Sequence, residues 1–85
     1  MYTEKTELKI IRKPEVLALF GLSNASLYRQ ITANIFPPAF SLGCRATGWY
    51  EHEVKQVIAA RGAGKTDEEV KTLVSELVAA RKSAV

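Results

Sequence analysis

The sequence predicts a small, mainly α-helical fold carrying one β-hairpin. Three observations predict it. Two short helical segments meet at Gly21-Leu22-Ser23, Pro37-Pro38 forbids further helix and forces an extended path, and two strand-like runs flank the turn Gly43-Cys44-Arg45-Ala46. With 85 residues the chain is one domain at most. A chain of this size buries only about 60% of its surface, so the core is expected to be modest. The residues are 47% hydrophobic with both charge signs present, which marks a globular and not a disordered chain.

Each element follows from local chemistry. Residues 1–7 are polar and are expected to form a flexible N-terminus. Leu8-Lys9-Ile10-Ile11 reads as a short strand with Leu8 and Ile10 on one face. Pro14 suits the first position of a helix and Glu15 its first turn; Val16, Leu17, Leu19 and Phe20 supply the apolar side, and Gly21 the left-handed cap. Ser23 caps a second helix that runs to Thr32, with Leu27 and Ile31 as its inward stripe. Two helices joined by a three-residue glycine turn are a helix-turn-helix.

Beyond the prolines, Ala39–Leu42 and Thr47–Trp49 are the strands of a small hairpin, or wing. Trp49 is expected in the core, pinning the hairpin to a third helix that spans Tyr50 to Arg61 on Val54, Val57 and Ile58. Gly62-Ala63-Gly64-Lys65 breaks that helix. Thr66 and Glu69 form a capping box for a fourth, whose apolar residues are Val70, Leu73, Val74, Leu77 and Val78. The expected organisation is a winged helix-turn-helix at 8–61, a linker at 62–65 and a C-terminal amphipathic helix at 66–85. The last helix has two sinks for its stripe, the domain's own helices or a second subunit. Self-packing in a monomer is favoured over a homodimer because a small core gains from extra apolar cover.

Charge narrows the function. The net charge is +3, unevenly spread: residues 8–49 hold Lys9, Arg12, Lys13, Arg29 and Arg45 against Glu15 alone, a balance of +4, while residues 66–85 balance at −1. A basic half suits a polyanion such as nucleic acid. Other classes find little support. Cys44 is the only cysteine, so no internal disulfide or cysteine-rich metal site is expected, which fits a reducing cytoplasm. No apolar run approaches the roughly 20 residues of a membrane span. His52 between Glu51 and Glu53 is not a catalytic cluster, since adjacent helical residues point apart. Gly62-Ala63-Gly64-Lys65-Thr66 lacks the full phosphate-loop spacing and follows no strand. Neither an enzyme nor a cofactor is expected.

The second helix carries the candidate site. At about 100° per residue, Arg29 points roughly 180° away from the Leu27–Ile31 direction, with Ala25 and Thr32 beside it and Ser26 and Tyr28 on the flanks. Small residues let such a helix approach a major groove, and Arg can pair with guanine or phosphate. Ser23, Asn24 and the free first-turn N–H groups can hold a phosphate. Tyr28 either bonds a phosphate through its hydroxyl or flanks the core. Arg45, at the wing tip, can reach a minor groove or the backbone. Lys13 adds a cation at the start of the first helix.

The run Arg12-Lys13-Pro14-Glu15-Val16-Leu17, Gly21-Leu22-Ser23, Leu27-Tyr28-Arg29-Gln30-Ile31, Phe36-Pro37-Pro38, Leu42-Gly43-Cys44-Arg45, Gly48-Trp49 and Glu53-Val54 resembles the AlpA-type prophage regulators and related small excisionases, over residues 10 to about 61. The resemblance implies a MerR-like winged-helix fold and sequence-specific binding of double-stranded DNA, with the second helix in the major groove and the wing beside it. It implies activation or repression of phage genes, or bending of attachment-site DNA in excision, with integrase or RNA polymerase as protein partners. By position Asn24, Ser26, Tyr28 and Arg29 match the recognition helix and Arg45 the wing arginine; residues 66–82 lie beyond the common core. A second reading keeps the fold but makes it a protein-interaction adaptor that inhibits a partner regulator without touching DNA. DNA binding that weakens steeply with salt separates the two.

Overall fold

The computed structural model describes residues 8–83. The flexible segment expected at 1–7 lies outside the described residues. Strand β1 (Ile10–Ile11) leads into helix α1 (Lys13–Phe20), with proline in the first turn. Gly21 ends α1 in the left-handed region at φ 71°, its N–H donating to the Leu17 carbonyl at 2.7 Å. Ser23 caps α2 (Asn24–Thr32) by accepting the Ser26 N–H at 3.2 Å.

The wing is β2 (Phe40–Gly43) and β3 (Ala46–Tyr50), turning through Cys44-Arg45. β3 is the middle strand of an antiparallel sheet ordered β1-β3-β2, with Ile11 opposite Trp49 and Phe40 opposite Gly48. Tyr50 serves as N-cap to α3 (Glu51–Gly62). The capping box of α4 (Asp67–Ser83) is present: Thr66 N–H donates to Glu69 Oε1 at 2.9 Å, and Glu69 N–H to Thr66 Oγ1 at 3.2 Å.

One core takes a residue or more from every helix. Ile11, Val16, Leu27, Phe36, Trp49, Val54 and Val57 are buried together with Val70, Val74 and Leu77 of α4. The apolar stripe of α4 therefore closes on the chain's own α3. An ion pair between Arg61 and Asp67 at 2.8 Å spans the break between the two helices.

The structure settles three local points. In β1 the inward residue is Ile11, while Leu8 and Ile10 share the exposed side, because the register sets Ile11 opposite the buried Trp49. In α1, Val16, Leu17 and Phe20 occupy one arc of the helix, and Leu19 falls off it and is exposed. In α3 a charged residue, Glu53, is buried along with Val54 and Val57.

β3 is packed on both faces. On the inner face the Trp49 ring meets Phe36 edge-on at 6.3 Å, Phe36 stacks on Phe20 at 5.4 Å, and Trp49 Nε1–H donates to the Pro37 carbonyl at 2.8 Å. On the outer face Gly48 leaves room for its neighbours. A Cβ there would lie 2.8 Å from Ile10 Cγ2, 3.0 Å from the Ile11 carbonyl oxygen and 3.2 Å from Leu42 Cδ1.

Trp49→Ala is expected to lower stability by about 3–5 kcal/mol, the range for emptying a large buried aromatic site, measured by urea unfolding. Gly48→Ala should cost about 1–3 kcal/mol in the same assay, because β1 must move away from β3. A Gly48→Ala protein as stable as the parent would show that the strands separate freely.

Candidate nucleic-acid interface

The outer face of α2 is ordered by its own first turn. Ser23 and Ser26 hydroxyls lie 3.2 Å apart, and Arg29 Nη2 donates back to Ser26 Oγ at 3.2 Å. The chain Ser23–Ser26–Arg29 thus draws the guanidinium toward the N-terminal end of the helix, where free backbone N–H groups and the helix dipole favour an anion. Asn24 is exposed on the same turn.

Tyr28 projects outward, 59% exposed, which removes the reading in which it flanks the core. The Lys13 ammonium sits 4.9 Å from the Tyr28 ring centroid, joining the start of α1 to the middle of α2. Tyr28 stands between two clefts. One of about 650 Å³ runs along α2 past Ser26, Arg29 and Gln30; the other, of about 330 Å³, is lined by Arg12, Lys13, Ile31 and Thr47. The second cleft connects α2 to the base of the wing.

Arg12 was not among the expected site residues. It is the N-cap residue of α1, and its Nε–H donates to the Thr47 carbonyl in β3 at 2.9 Å. It therefore ties the wing to the start of α1. At the far end of the wing, Arg45 occupies the turn at φ 56°, left-handed and exposed, and Gly43 before it has φ 118°. The structure brings Lys13, Ser23, Ser26, Tyr28 and Arg29 into one patch. Arg45 stands apart from it, reached along β3 from Thr47.

Charge pairing varies across the surface. Lys9, Lys55, Arg61, Lys71 and Arg81 each lie within ion-pair distance of a carboxylate. Among the described residues, Arg12, Lys13, Arg29 and Arg45 have no such partner, and elsewhere neither do Lys65 and Lys82. Four cations without a nearby acid among the described residues leave a positive surface suited to a polyanion. Among the described residues no three His, Cys, Asp or Glu side chains gather as a metal site, and no helix is long and apolar enough to cross a membrane.

Comparison with known proteins identifies a family. The family described as Prophage CP4-57 regulatory protein (AlpA) matches residues 9–62, which carry β1, α1, α2, the wing and α3 but not α4. The uncharacterized protein ORF88 of Enterobacteria phage P4 is 40% identical over 60 residues, covering 71% of this chain and 68% of that protein. No solved structure matches. The chain belongs to the AlpA family of prophage regulatory proteins.

Proposed function

We propose that this protein is a monomeric, cytoplasmic regulator that binds double-stranded DNA at a specific sequence. In this reading α2 enters the major groove, with Arg29 and Ser26 facing base edges. Ser23, Asn24 and the first-turn N–H groups hold one phosphate, and Lys13 with the Tyr28 hydroxyl holds another. The wing lies along the neighbouring backbone, led by Arg45. The observation that carries the proposal is the cluster of cations around the exposed face of α2 that lack acidic partners among the described residues. A phosphate backbone neutralises such a face and releases its own counterions. Support for a monomer comes from α4, whose stripe residues Val70, Val74 and Leu77 are already buried inside the fold.

The regulated event is either transcription of phage genes or excision, and the DNA site distinguishes them. Footprints at a promoter point to RNA polymerase as the neighbouring protein; footprints at attachment-site DNA point to integrase. No chemistry on a substrate belongs to this reading, because the site offers cations, hydroxyls and an aromatic ring but no nucleophile beside a base.

Gel shifts across a range of salt concentrations test the proposal. Affinity should fall steeply as salt rises; a folded protein with no DNA affinity at any salt would favour the adaptor reading. Arg29→Ala is expected to lose about 1–3 kcal/mol of binding to the specific site, with a smaller loss on unrelated DNA, since a base contact is removed. Arg45→Ala should weaken specific and unrelated DNA by similar factors and reduce the slope of log affinity against log salt by about one, the signature of a single lost phosphate contact. A full slope in folded Arg45→Ala would place the wing away from the backbone.

A further inference from the structure

We propose that Arg81, near the end of α4, is the positioning residue for the wing, so that α4 sets the angle at which the wing is presented. Only the last arm of the test below rests on the DNA-binding reading. Arg81 lies beyond the residues 9–62 that match the family, on an element that match does not reach.

Arg81 continues the buried stripe of α4. Val70, Val74, Leu77 and Arg81 are spaced four, three and four residues apart, so its side chain points where the stripe points. There it meets Glu53, which shares a helical face with Val57 four residues on and is 1% exposed. Arg81 Nη2 lies 2.7 Å from Glu53 Oε1, and Nε donates to Oε2 at 3.0 Å. The guanidinium then does two further things. Nη2 also donates to the Pro38 carbonyl at 2.9 Å, and its central carbon lies 5.0 Å from the Phe40 ring centroid. Phe40 is in β2, and its ring in turn packs on Tyr50 of β3 at 4.7 Å.

One planar group therefore touches α3, the proline turn and the wing. The proline turn is gripped from its other side as well, because the Pro37 carbonyl accepts from Trp49 Nε1. Neither proline has an N–H, so backbone hydrogen bonds can hold this segment only through its carbonyls, and each of the two finds a side-chain donor. Burying an Arg–Glu pair costs about as much desolvation as the attraction returns. What the pair adds is geometry: a rigid fork held at one end by Glu53 presents fixed donors and a flat face to Pro38 and Phe40.

Two full-length variants test this. Arg81→Lys keeps a charge beside Glu53, but a point charge on a flexible stem cannot also reach Pro38 and cover Phe40. The double variant Glu53→Met with Arg81→Met removes both charges, so neither is left buried alone. Amide hydrogen exchange on the free protein should be about tenfold faster across Phe40–Tyr50 in both variants, with α3 amides changed by less than about threefold. Wing amides that exchange at the parent rate in either folded variant would overturn the proposal. So would uniform acceleration through α3, which would make Arg81 a residue of general stability.

The second readout uses DNA. Arg81→Lys should weaken DNA binding about threefold to tenfold, and this loss should disappear in an Arg45→Ala background, since both act through the wing. Full additivity with Arg45→Ala would overturn the coupling. If the parent protein binds no DNA, the functional reading fails, while the exchange measurement still decides the role of Arg81.

Discussion

The fold depends on β3 being packed on both faces at once. Trp49 looks inward, where its ring meets Phe36 and its indole N–H satisfies the Pro37 carbonyl. Gly48, the preceding residue, looks outward, and its missing side chain lets Ile10 and Leu42 close over the strand from the two neighbours. A strand alternates its faces residue by residue, so adjacent large and absent side chains satisfy opposite demands with no change of path. From this strand β2 hangs on one side and β1 on the other. α3 starts immediately after it, and the proline turn that leads out of α2 is fastened to it.

That arrangement explains how two distant parts of the candidate interface hold a common orientation. Arg12 stands at the N-cap position of α1 and its side chain donates to the Thr47 carbonyl, so the helix-turn-helix and the wing share a hydrogen bond across 35 positions of sequence. Tyr28, with Lys13 over its ring, lines the cleft between them. The positive face is therefore held by backbone and side-chain contacts together. Carboxylates such as Glu51, Asp67 and Glu68 sit beside cations on other surfaces. The net charge of the whole chain is only +3, yet Arg12, Lys13 and Arg29 stand on this side with no acid within ion-pair distance among the described residues.

α4 extends the matched core in a way that is more than added apolar cover. Val70, Val74 and Leu77 enlarge a core that would otherwise be small for its surface. Arg81, on the same stripe, brings a charge into that contact and satisfies Glu53 and the Pro38 carbonyl together. Without the guanidinium, both acceptors would be left without this donor, and Glu53 would be a bare charge at 1% exposure.

Much of the fold was legible in the residues themselves, because the signals that start and stop helices act over three or four positions. Pro14, Gly21, Ser23 and the Thr66–Glu69 pair mark the helix ends where the structure has them. The inward stripes of α2 and α4, the hairpin, and the place of Trp49 in the core follow from periodicity and size. The outward face of α2, with Ser26, Tyr28 and Arg29 exposed or half-buried, was legible for the same reason. Other features were decided only by the tertiary structure. The sequence leaves open which side of β1 faces the core, and the register against Trp49 chooses Ile11. It leaves Glu53 looking like a solvated acid, until an arginine 28 residues away meets it on the opposing helix. Arg12 looks like one more surface cation, until the wing folds back to offer it a carbonyl. Local propensity carries no information about partners so far along the chain, and a buried charge or a fixed arginine exists only once those partners have come together.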